Sequence, residues 1–428
     1  MLGGGTFVTQ SKVLPGAYIN FVSAARASAA LSERGIVTMP LILDWGPQDT
    51  VMDVSDFPKN SLPLFGYDYT APRMAGLRDL FKNIRVAYLY RLGSGGVKAS
   101  NIYATALYTG TRGNDLKVVI AENAKETFDV SLYLGTVLID FQTVLEVDGL
   151  VDNDFVTWNP DAELTPTAGI PLAGGASPIV SNTDYQTYLD LMEGYSFNAI
   201  GCPSADPGVK NLFVDYTKRM RDEQGVKFQC VAFDCAADHE GVVNVMNRAT
   251  DTESWSAVYW ATGVIAGTAV NRSALNRVYD GGFNLDVKYT QTQLEDAIKG
   301  GRFAFHRVGP DIRVLSDLNS LVTLTDEKGD VFKENQTIRV IDQIANDIAV
   351  LFNTKYLGVI PNDASGRVSL WADIVKHHQQ LQTLRAIEDF DSEDVKVEQG
   401  GTKRSVVISD VVTVVNAMAQ LYMTCIVA

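Results

Sequence analysis

The run Leu421-Tyr422-Met423-Thr424-Cys425-Ile426-Val427 is apolar on both alternating faces. A strand of this kind presents unpaired backbone and two hydrophobic faces together, and it aggregates unless it pairs with something. The fold must therefore provide it with a partner, either from the same chain or from another copy. The sequence just before it reads as a compact pair of helices. In residues 336–353, Ile338, Ile341, Ile344 with Ala345, Ile348, and Leu351 with Phe352 fall on one helical face. In residues 366–384, Leu370, Ile374, Leu381 and Leu384 do the same. Asn335 is placed to cap the first helix, and Gly358, Pro361 and Asn362 mark the turn between the two. β-rich sequence continues from there.

Upstream, strand-like and helix-like segments alternate. Residues 35–46 and 86–91 read as strands flanking a helix over 74–81. After residue 184, helices at 184–195, 210–224 and 255–271 alternate with apolar strands at 197–202 and 228–233. A short helix at 294–299 and strands at 303–308 and 312–315 complete the pattern, which predicts a mixed or parallel sheet covered by helices. Residues 99–151 differ: β segments at 102–108, 116–121, 127–134 and 135–147 are joined by short turns, as in an antiparallel β domain inserted into the first. Residues 152–183, with Pro160, Pro166, Pro171, Pro178 and the pair Gly174-Gly175, read as a linker or long loop. A short strand over 13–22, entered through Pro15-Gly16, is either an extended arm or an edge strand of the first domain.

The expected fold class is α/β (α+β) and multidomain. An N-terminal arm (1–25) precedes a mixed-sheet α/β core in two parts (26–92 and 184–330), interrupted by an inserted antiparallel β domain with its linker (93–183). A C-terminal α+β domain follows, with helices over 331–400 and a strand and arm over 401–428.

The formal net charge of -15, from 36 basic and 51 acidic residues, argues against nucleic acid or an anionic membrane as partner. Cys202, Cys230, Cys235 and Cys425 are too scattered for a disulfide framework. The start, Met1-Leu2-Gly3-Gly4-Gly5-Thr6, lacks the pattern of a signal peptide. The longest mostly apolar run, 257–270, is shorter than the ~20 residues of a membrane helix. The expectation is synthesis in a reducing cytoplasm, with no export signal and no membrane insertion.

Motifs that carry chemistry are weak. Gly93-Ser94-Gly95-Gly96-Val97-Lys98 suggests a phosphate loop, but Val97 stands where glycine is needed and Ala99 follows the lysine. A hinge at a domain boundary suits it better. Neither Gly-x-Ser-x-Gly nor His-Glu-x-x-His occurs. His377 and His378 are the more promising pair, but His377 shares a face with Leu370, Ile374, Leu381 and Leu384, as a partly buried structural histidine would. His239, between Asp238 and Glu240, would need ligands converging in space to hold a metal. The acidic residues Asp152, Asp154, Asp389, Asp391, Glu393 and Asp394 suit solvated loops. No catalytic, cofactor or metal residue is assigned.

Several segments, taken together and in order, resemble a known family. They are Leu31-Ser32-Glu33-Arg34-Gly35, then Tyr108-Thr109-Gly110-Thr111-Arg112-Gly113-Asn114-Asp115-Leu116, then Leu172-Ala173-Gly174-Gly175. Thr337-Ile338-Arg339-Val340-Ile341-Asp342, Tyr356-Leu357-Gly358 with Asn362, and the terminal stretch 411–427 with Ala417-Met418 follow. The pattern resembles the tail sheath proteins of contractile phages, defective phage-like particles and tailocins, most closely those of Gram-positive hosts. The resemblance implies a non-enzymatic subunit that stacks as six-membered rings around a tail tube and contracts to drive the tube through a cell envelope. Its implied partners are copies of itself, the tube protein, and the baseplate and tail terminator proteins. Its implied location is a virion or tail-like particle assembled in the host bacterial cytoplasm. Terminal arms in that family add strands to neighbouring subunits, which here implicates Val13, Tyr18 and Phe21 at one end and Val407, Val411, Val414, Leu421, Met423 and Ile426 at the other. Residues 336–384 would lie nearest the tube. The competing readings are an α/β enzyme of hydrolase type with a β insertion, and another phage tail structural protein such as a tube or baseplate component.

Overall fold

The computed structural model describes residues 31–123 and 125–427. The chain divides into two compact units: one of residues 38–81 and 86–190, the other of the segment up to Val37, residues 82–85 and the chain from Leu191 onward. The expected fold class holds, a mixed α/β protein of several sheets with an antiparallel β insertion.

The first unit opens with β1 (Ile36–Leu41), β2 (Val51–Val54), α1 (Phe57–Phe65), α2 (Ala75–Phe81) and β3 (Val86–Arg91). β3 lies between β1 and β2 and pairs antiparallel with β2. Helix α1, absent from the sequence reading, starts where the Asp56 side chain accepts from the Lys59 amide and ends at Gly66 with φ 74°. Its prolines hid it: one occupies the first turn, where no amide partner is needed, and Pro63 lies inside a helix too short to show a clear period.

The insertion adds β4 (Lys98–Ser100), β5 (Ala104–Thr109), β6 (Leu116–Glu122), β7 (Phe128–Leu134), β8 (Val137–Val144), β9 (Val156–Trp158) and β10 (Thr167–Pro171), then α3 (Asn182–Met192). They form two sheets, β10-β6-β7-β8 and β4-β5-β9. The expected linker 152–183 is thus corrected, because β9 pairs with β5 and β10 with β6. Its Pro160 and Pro171 sit just beyond or at the ends of strands, where a missing amide disrupts no ladder. Alternate residues of both sheets (Leu116, Val118, Ile120, Val130, Leu132, Val156) bury around Trp45. The Trp45 ring meets Tyr108 edge-on at 5.3 Å and stacks on Phe155 at 6.0 Å.

The glycine-rich loop at 93–98 carries the chain into the insertion alongside its way out. Isolated bridges tie Ser94 to Ile179, Val97 to Ala176 and Ser100 to Ala173. The Gly110 motif locks the same region. Gly110 has φ 131°, and a Cβ there would lie 1.9 Å from the Asp44 carbonyl oxygen. Arg112 donates to the Gly66 carbonyl at 2.8 Å and lies 4.3 Å over the Tyr67 ring. The Asn114 carboxamide donates to the Gly175 carbonyl at 2.9 Å and accepts from the Gly175 amide at 2.8 Å.

The second unit holds β11 (Ala199–Cys202), α4 (Pro207–Lys218), β12 (Gln229–Phe233), β13 (Val242–Val245), α5 (Ala257–Gly267), α6 (Gln291–Lys299), β14 (Arg302–Val308) and β15 (Asp311–Ser316). Strands β11 to β14 run parallel in chain order and β15 closes as an antiparallel neighbour of β14. All four residues of β11 and of β13 are buried, as befits parallel strands covered on both faces. Helix α5 packs against β11, β12 and β13. It is buried nearly all round, which explains its small-residue composition.

The terminal part comprises α7 (Asn335–Leu351), α8 (Ala364–Thr383), β16 (Ile387–Glu388), β17 (Lys396–Gln399), β18 (Val406–Ser409) and β19 (Thr413–Val414). β17 pairs with β18 and β16 with β19, both antiparallel. In α8, Leu370, Ile374 and Leu381 are buried as expected, while Leu384 lies past the helix end and is exposed.

Helix α7 departs from expectation. Ile338 and Leu351 are buried, but Ile341, Ile344 and Ile348 are only half-buried, whereas Arg339, Asp342, Gln343 and Asp347 are buried. Each of those polar groups has a partner from far along the chain. Asp342 accepts two hydrogen bonds from Arg221, at 2.7 and 2.8 Å, and Arg339 donates to the Arg272 carbonyl at 2.7 Å. The Asn335 cap is also corrected. Glu334 occupies the cap position, and the buried Asn335 side chain instead donates to Asp317 at 3.0 Å and accepts from Gln229 at 2.8 Å.

Candidate assembly interface

The two ends of the described chain are both fastened to α7. On the N-terminal side, the Ser32 amide and hydroxyl donate to Asp347, and the Gln343 side chain donates to the Ser32 hydroxyl at 2.7 Å. Arg34 reaches the carbonyls of Ile265 and Thr268, each at 3.2 Å, and Glu33 pairs with Arg85. The motif Leu31-Ser32-Glu33-Arg34-Gly35 is therefore a strap held by part-buried polar contacts and one exposed ion pair.

On the C-terminal side, the Gln336 carboxamide works as a strand residue would. Its nitrogen donates to the Val415 carbonyl at 2.9 Å and its oxygen accepts from the Ala417 amide at 3.0 Å. Thr337 and Asn416 exchange hydrogen bonds beside it. Beyond this clamp, Met418, Leu421, Tyr422, Met423 and Ile426 are exposed, from 80 to 99%. Residues 415–427 form no helix or strand with any described residue.

The arm residues expected from sequence fall into three groups. Val13, Tyr18 and Phe21 lie outside the described residues. Val407 lies in β18 opposite Glu398, and Val414 in β19 opposite Ile387, so both pair within the chain; the exposed Val411 lies between these strands. Leu421, Met423 and Ile426 belong to the unpaired tail. Next to β18, an open groove of about 430 Å³ is lined by Ala345, Ile348, Ala349, Phe352, Val406 and Ile408. This is the apolar face that α7 does not bury. Sequence reasoning missed Gln336, Gln343, Asp347 and Asp410; the signal was the helical spacing of 336, 339, 343 and 347, which looks like a solvated face when their partners are unknown.

Two places have the makings of chemistry. Ligand atoms of Asp222, His239 and Glu240 lie within 4.8 Å of one another. The Gly241 amide donates to His239 Nδ1 at 3.0 Å, so Nε2 carries the ring proton and points it at Asp222 at 3.0 Å. Lys328 satisfies both Glu240 oxygens at 2.9 and 3.0 Å. Burial pushes the His239 pKa down, against Glu240 and Asp222, which favour its charged form. A metal on Nε2 would displace that proton and cost the Gly241 bond; the cluster is a closed hydrogen-bond network. At the carboxyl ends of β12 and β13, an open depression of about 500 Å³ is lined by Ala236, Met246, Tyr289, Gln293 and Arg302. Arg302 is taken up by Asp234 at 3.6 Å. The thiols of Cys202, Cys230 and Cys235 in this part of the fold are pushed up by burial, the opposite of an activated nucleophile.

Comparison with known proteins turns these features into an assignment. Four family models tile the chain: Tail sheath protein Gp18 domain III N-terminal region over 34–92, Phage tail sheath protein beta-sandwich domain over 90–177, Phage tail sheath protein central domain over 179–320, and Phage tail sheath C-terminal domain over 327–428. A crystal structure of the sheath tail protein from Desulfitobacterium hafniense is 34% identical, with 94% of this chain and 97% of that one covered at a TM-score of 0.82. The chain belongs to the phage tail sheath family. Another relative of this sheath protein is the phage-like element PBSX protein XkdK of Bacillus subtilis, 31% identical over 98% of this chain and 99% of the relative. The sheath fold also extends to the anti-feeding prophage helical sheath in its contracted state, at 14% identity and a TM-score of 0.61 over 98% of this chain and 99% of that one. Among the described residues, no helix of this sheath protein is long and apolar enough to cross a membrane.

Proposed function

We propose that the chain is the subunit of a contractile tail sheath, a structural and non-enzymatic protein that polymerises as stacked six-membered rings around a tail tube and shortens to drive the tube through a cell envelope. The observation that carries this reading is the free apolar tail after Ala417, exposed to water and anchored at its root by Gln336. A strand added to a neighbour gains a ladder of hydrogen bonds and needs few special side chains. Among the described residues β18 is laddered on one side only, by β17, and the adjoining groove is apolar. Leu421, Met423 and Ile426 of one copy are the donated strand in this reading, and β18 with the α7 groove of the next copy is the acceptor. Val407, Val411 and Val414 belong to the acceptor side, and Val13, Tyr18 and Phe21 to a second arm from the N-terminal segment. The tube protein, baseplate and tail terminator are the further partners, in a virion or tail-like particle assembled in the host cytoplasm.

Deleting residues 418–428 is expected to leave a folded subunit with unchanged circular dichroism that no longer polymerises. Sheath-like tubes formed by the truncated protein in negative-stain electron microscopy would refute the arm reading.

A further inference from the structure

Two adjacent histidines on α8 lie between the roots of both terminal segments. His377 and His378 are 1 and 0% exposed, and their Nδ1 atoms face each other at 3.3 Å. His377 Nε2 meets Asp347 Oδ2 at 2.9 Å, and His378 Nε2 meets Asp410 Oδ2 at 2.7 Å. Asp347 is the carboxylate that holds Ser32, and Asp410 lies between β18 and β19, on the chain leading to the Gln336 clamp. A line of three contacts thus runs from one segment to the other through two imidazoles.

Counting hydrogens along that line decides its charge. A carboxylate only accepts, so each Nε2 must carry a proton, and the Nδ1···Nδ1 contact needs one proton between its two nitrogens. Three protons on two rings is one more than two neutral imidazoles hold. A carboxylate at each end of the line favours that extra charge, while burial of both rings opposes it. Burial pushes the Asp347 carboxyl up, but the donors His377, Gln343 and Ser32 together hold it below its ordinary value, so it remains an ionised acceptor. The other charges and contacts nearby are the Arg34 cation, which interacts with Asp347, the carboxylate of Asp410, and the Phe390 ring 5.1 Å from that of His378.

We propose that Asp347, His377, His378 and Asp410 form a shared-proton latch, which fastens the root of the C-terminal segment when three ring protons are present and frees Asp410 when the third is lost. With two protons for three contacts, one contact must fail. Two neutral rings can keep both carboxylates bonded and let the Nδ1···Nδ1 contact empty, or they can release one carboxylate. Of the two carboxylates Asp410 is the one with a way out, its side chain being 24% exposed against 5% for Asp347, and the latch takes this second course. The sign follows from proton counts. The closed latch holds one ring proton more than the open one, so it weakens as pH rises. Its effect on sheath assembly rests on the arm reading above, but the latch itself can be read on the unassembled chain.

The test uses the full-length, unassembled protein with ¹⁵N-labelled histidine, scanned from about pH 5 to 9 across the imidazole range. Long-range ¹H–¹⁵N spectra should show three protonated nitrogens and one bare nitrogen for the His377–His378 pair at low pH, changing to two and two as pH rises. Amide exchange at residues 411–414, corrected for its intrinsic pH dependence, should accelerate over the same range by up to tenfold per pH unit. Asp410→Asn retains an acceptor but removes the charge, and is expected to flatten that acceleration. Two protonated nitrogens throughout the scan, or an exchange profile identical in wild type and variant, would overturn the latch. If Asp410→Asn does not fold, the wild-type ring spectra decide alone. Failure of polymerisation by tail truncation tests the arm reading separately.

Discussion

Replacing Asp342 by alanine probes whether α7 is held by its buried polar face. Arg221 is 2% exposed and donates to both Asp342 oxygens at 2.7 and 2.8 Å, with a further bond to the Phe228 carbonyl at 2.5 Å. Its Nε has no hydrogen-bond partner among the described residues, and a Cβ on Gly241 would come within 2.3 Å of its side chain, so the guanidinium has little room to turn toward water. Asp342→Ala therefore strands a buried cation. Losing two charge-assisted hydrogen bonds and leaving one ion unpaired costs about 3–5 kcal/mol. Arg221→Met with Asp342→Leu removes both charges and fills the space, and is expected to return to within about 1–2 kcal/mol of wild type. Because the chain has two compact units, a single unfolding free energy is not well defined. Native-state hydrogen exchange read on peptides of α7 and β12 is the suitable assay. A single variant within about 1 kcal/mol of wild type, or a double variant no better than the sum of both singles, would refute this account of α7.

Two further outcomes follow from local geometry. Glu334 has its pKa raised to about 7, by burial first and then by Asp317 and Asp330. Between its ordinary value of 4.5 and about 7 the native chain keeps a proton that the unfolded chain has lost, so stability falls as pH rises through that window. Glu334→Gln is expected to match wild type near pH 4 and to exceed it by about 1–2 kcal/mol near pH 8 in native-state hydrogen exchange read on α7, a figure discounted for partial exposure. Gly110→Ala would force a Cβ to 1.9 Å from the Asp44 carbonyl at a backbone φ of 131°. It is expected to destabilise the first unit by about 3 kcal/mol or more, read as faster amide exchange in β5 and β6.

The sequence was most legible where hydrophobic period and burial agree. In α8, Leu370, Ile374 and Leu381 face inward with His377 among them, and the alternation of β11, α4 and β12 announced a parallel sheet. It misled at α7, where the isoleucine row marks a half-open face and Arg339, Asp342 and Asp347 are buried by partners at residues 272, 221 and 32. Periodicity registers what a side chain is, and burial of a charge depends on what meets it across the fold. The proline-rich stretch after residue 152 failed for a related reason: β9 and β10 are short, and each becomes a strand through pairing with β5 or β6. For the interface, the apolar tail was visible from the start, whereas its anchor at Gln336 was not, since a single glutamine in a helical turn carries no pattern.

The Gln336 clamp also determines how force would enter the subunit. A pull on the tail meets first the bonds from the Gln336 carboxamide to Val415 and Ala417, the Thr337–Asn416 exchange, and then the Val415 amide bond to the Ala386 carbonyl. These attachments converge on the first turn of α7 and the end of α8. A load along the tail thus reaches the first turn of α7 through side-chain bonds before it reaches the short β16–β19 ladder, whose end rung is the Val415–Ala386 bond and which would otherwise peel apart one bond at a time.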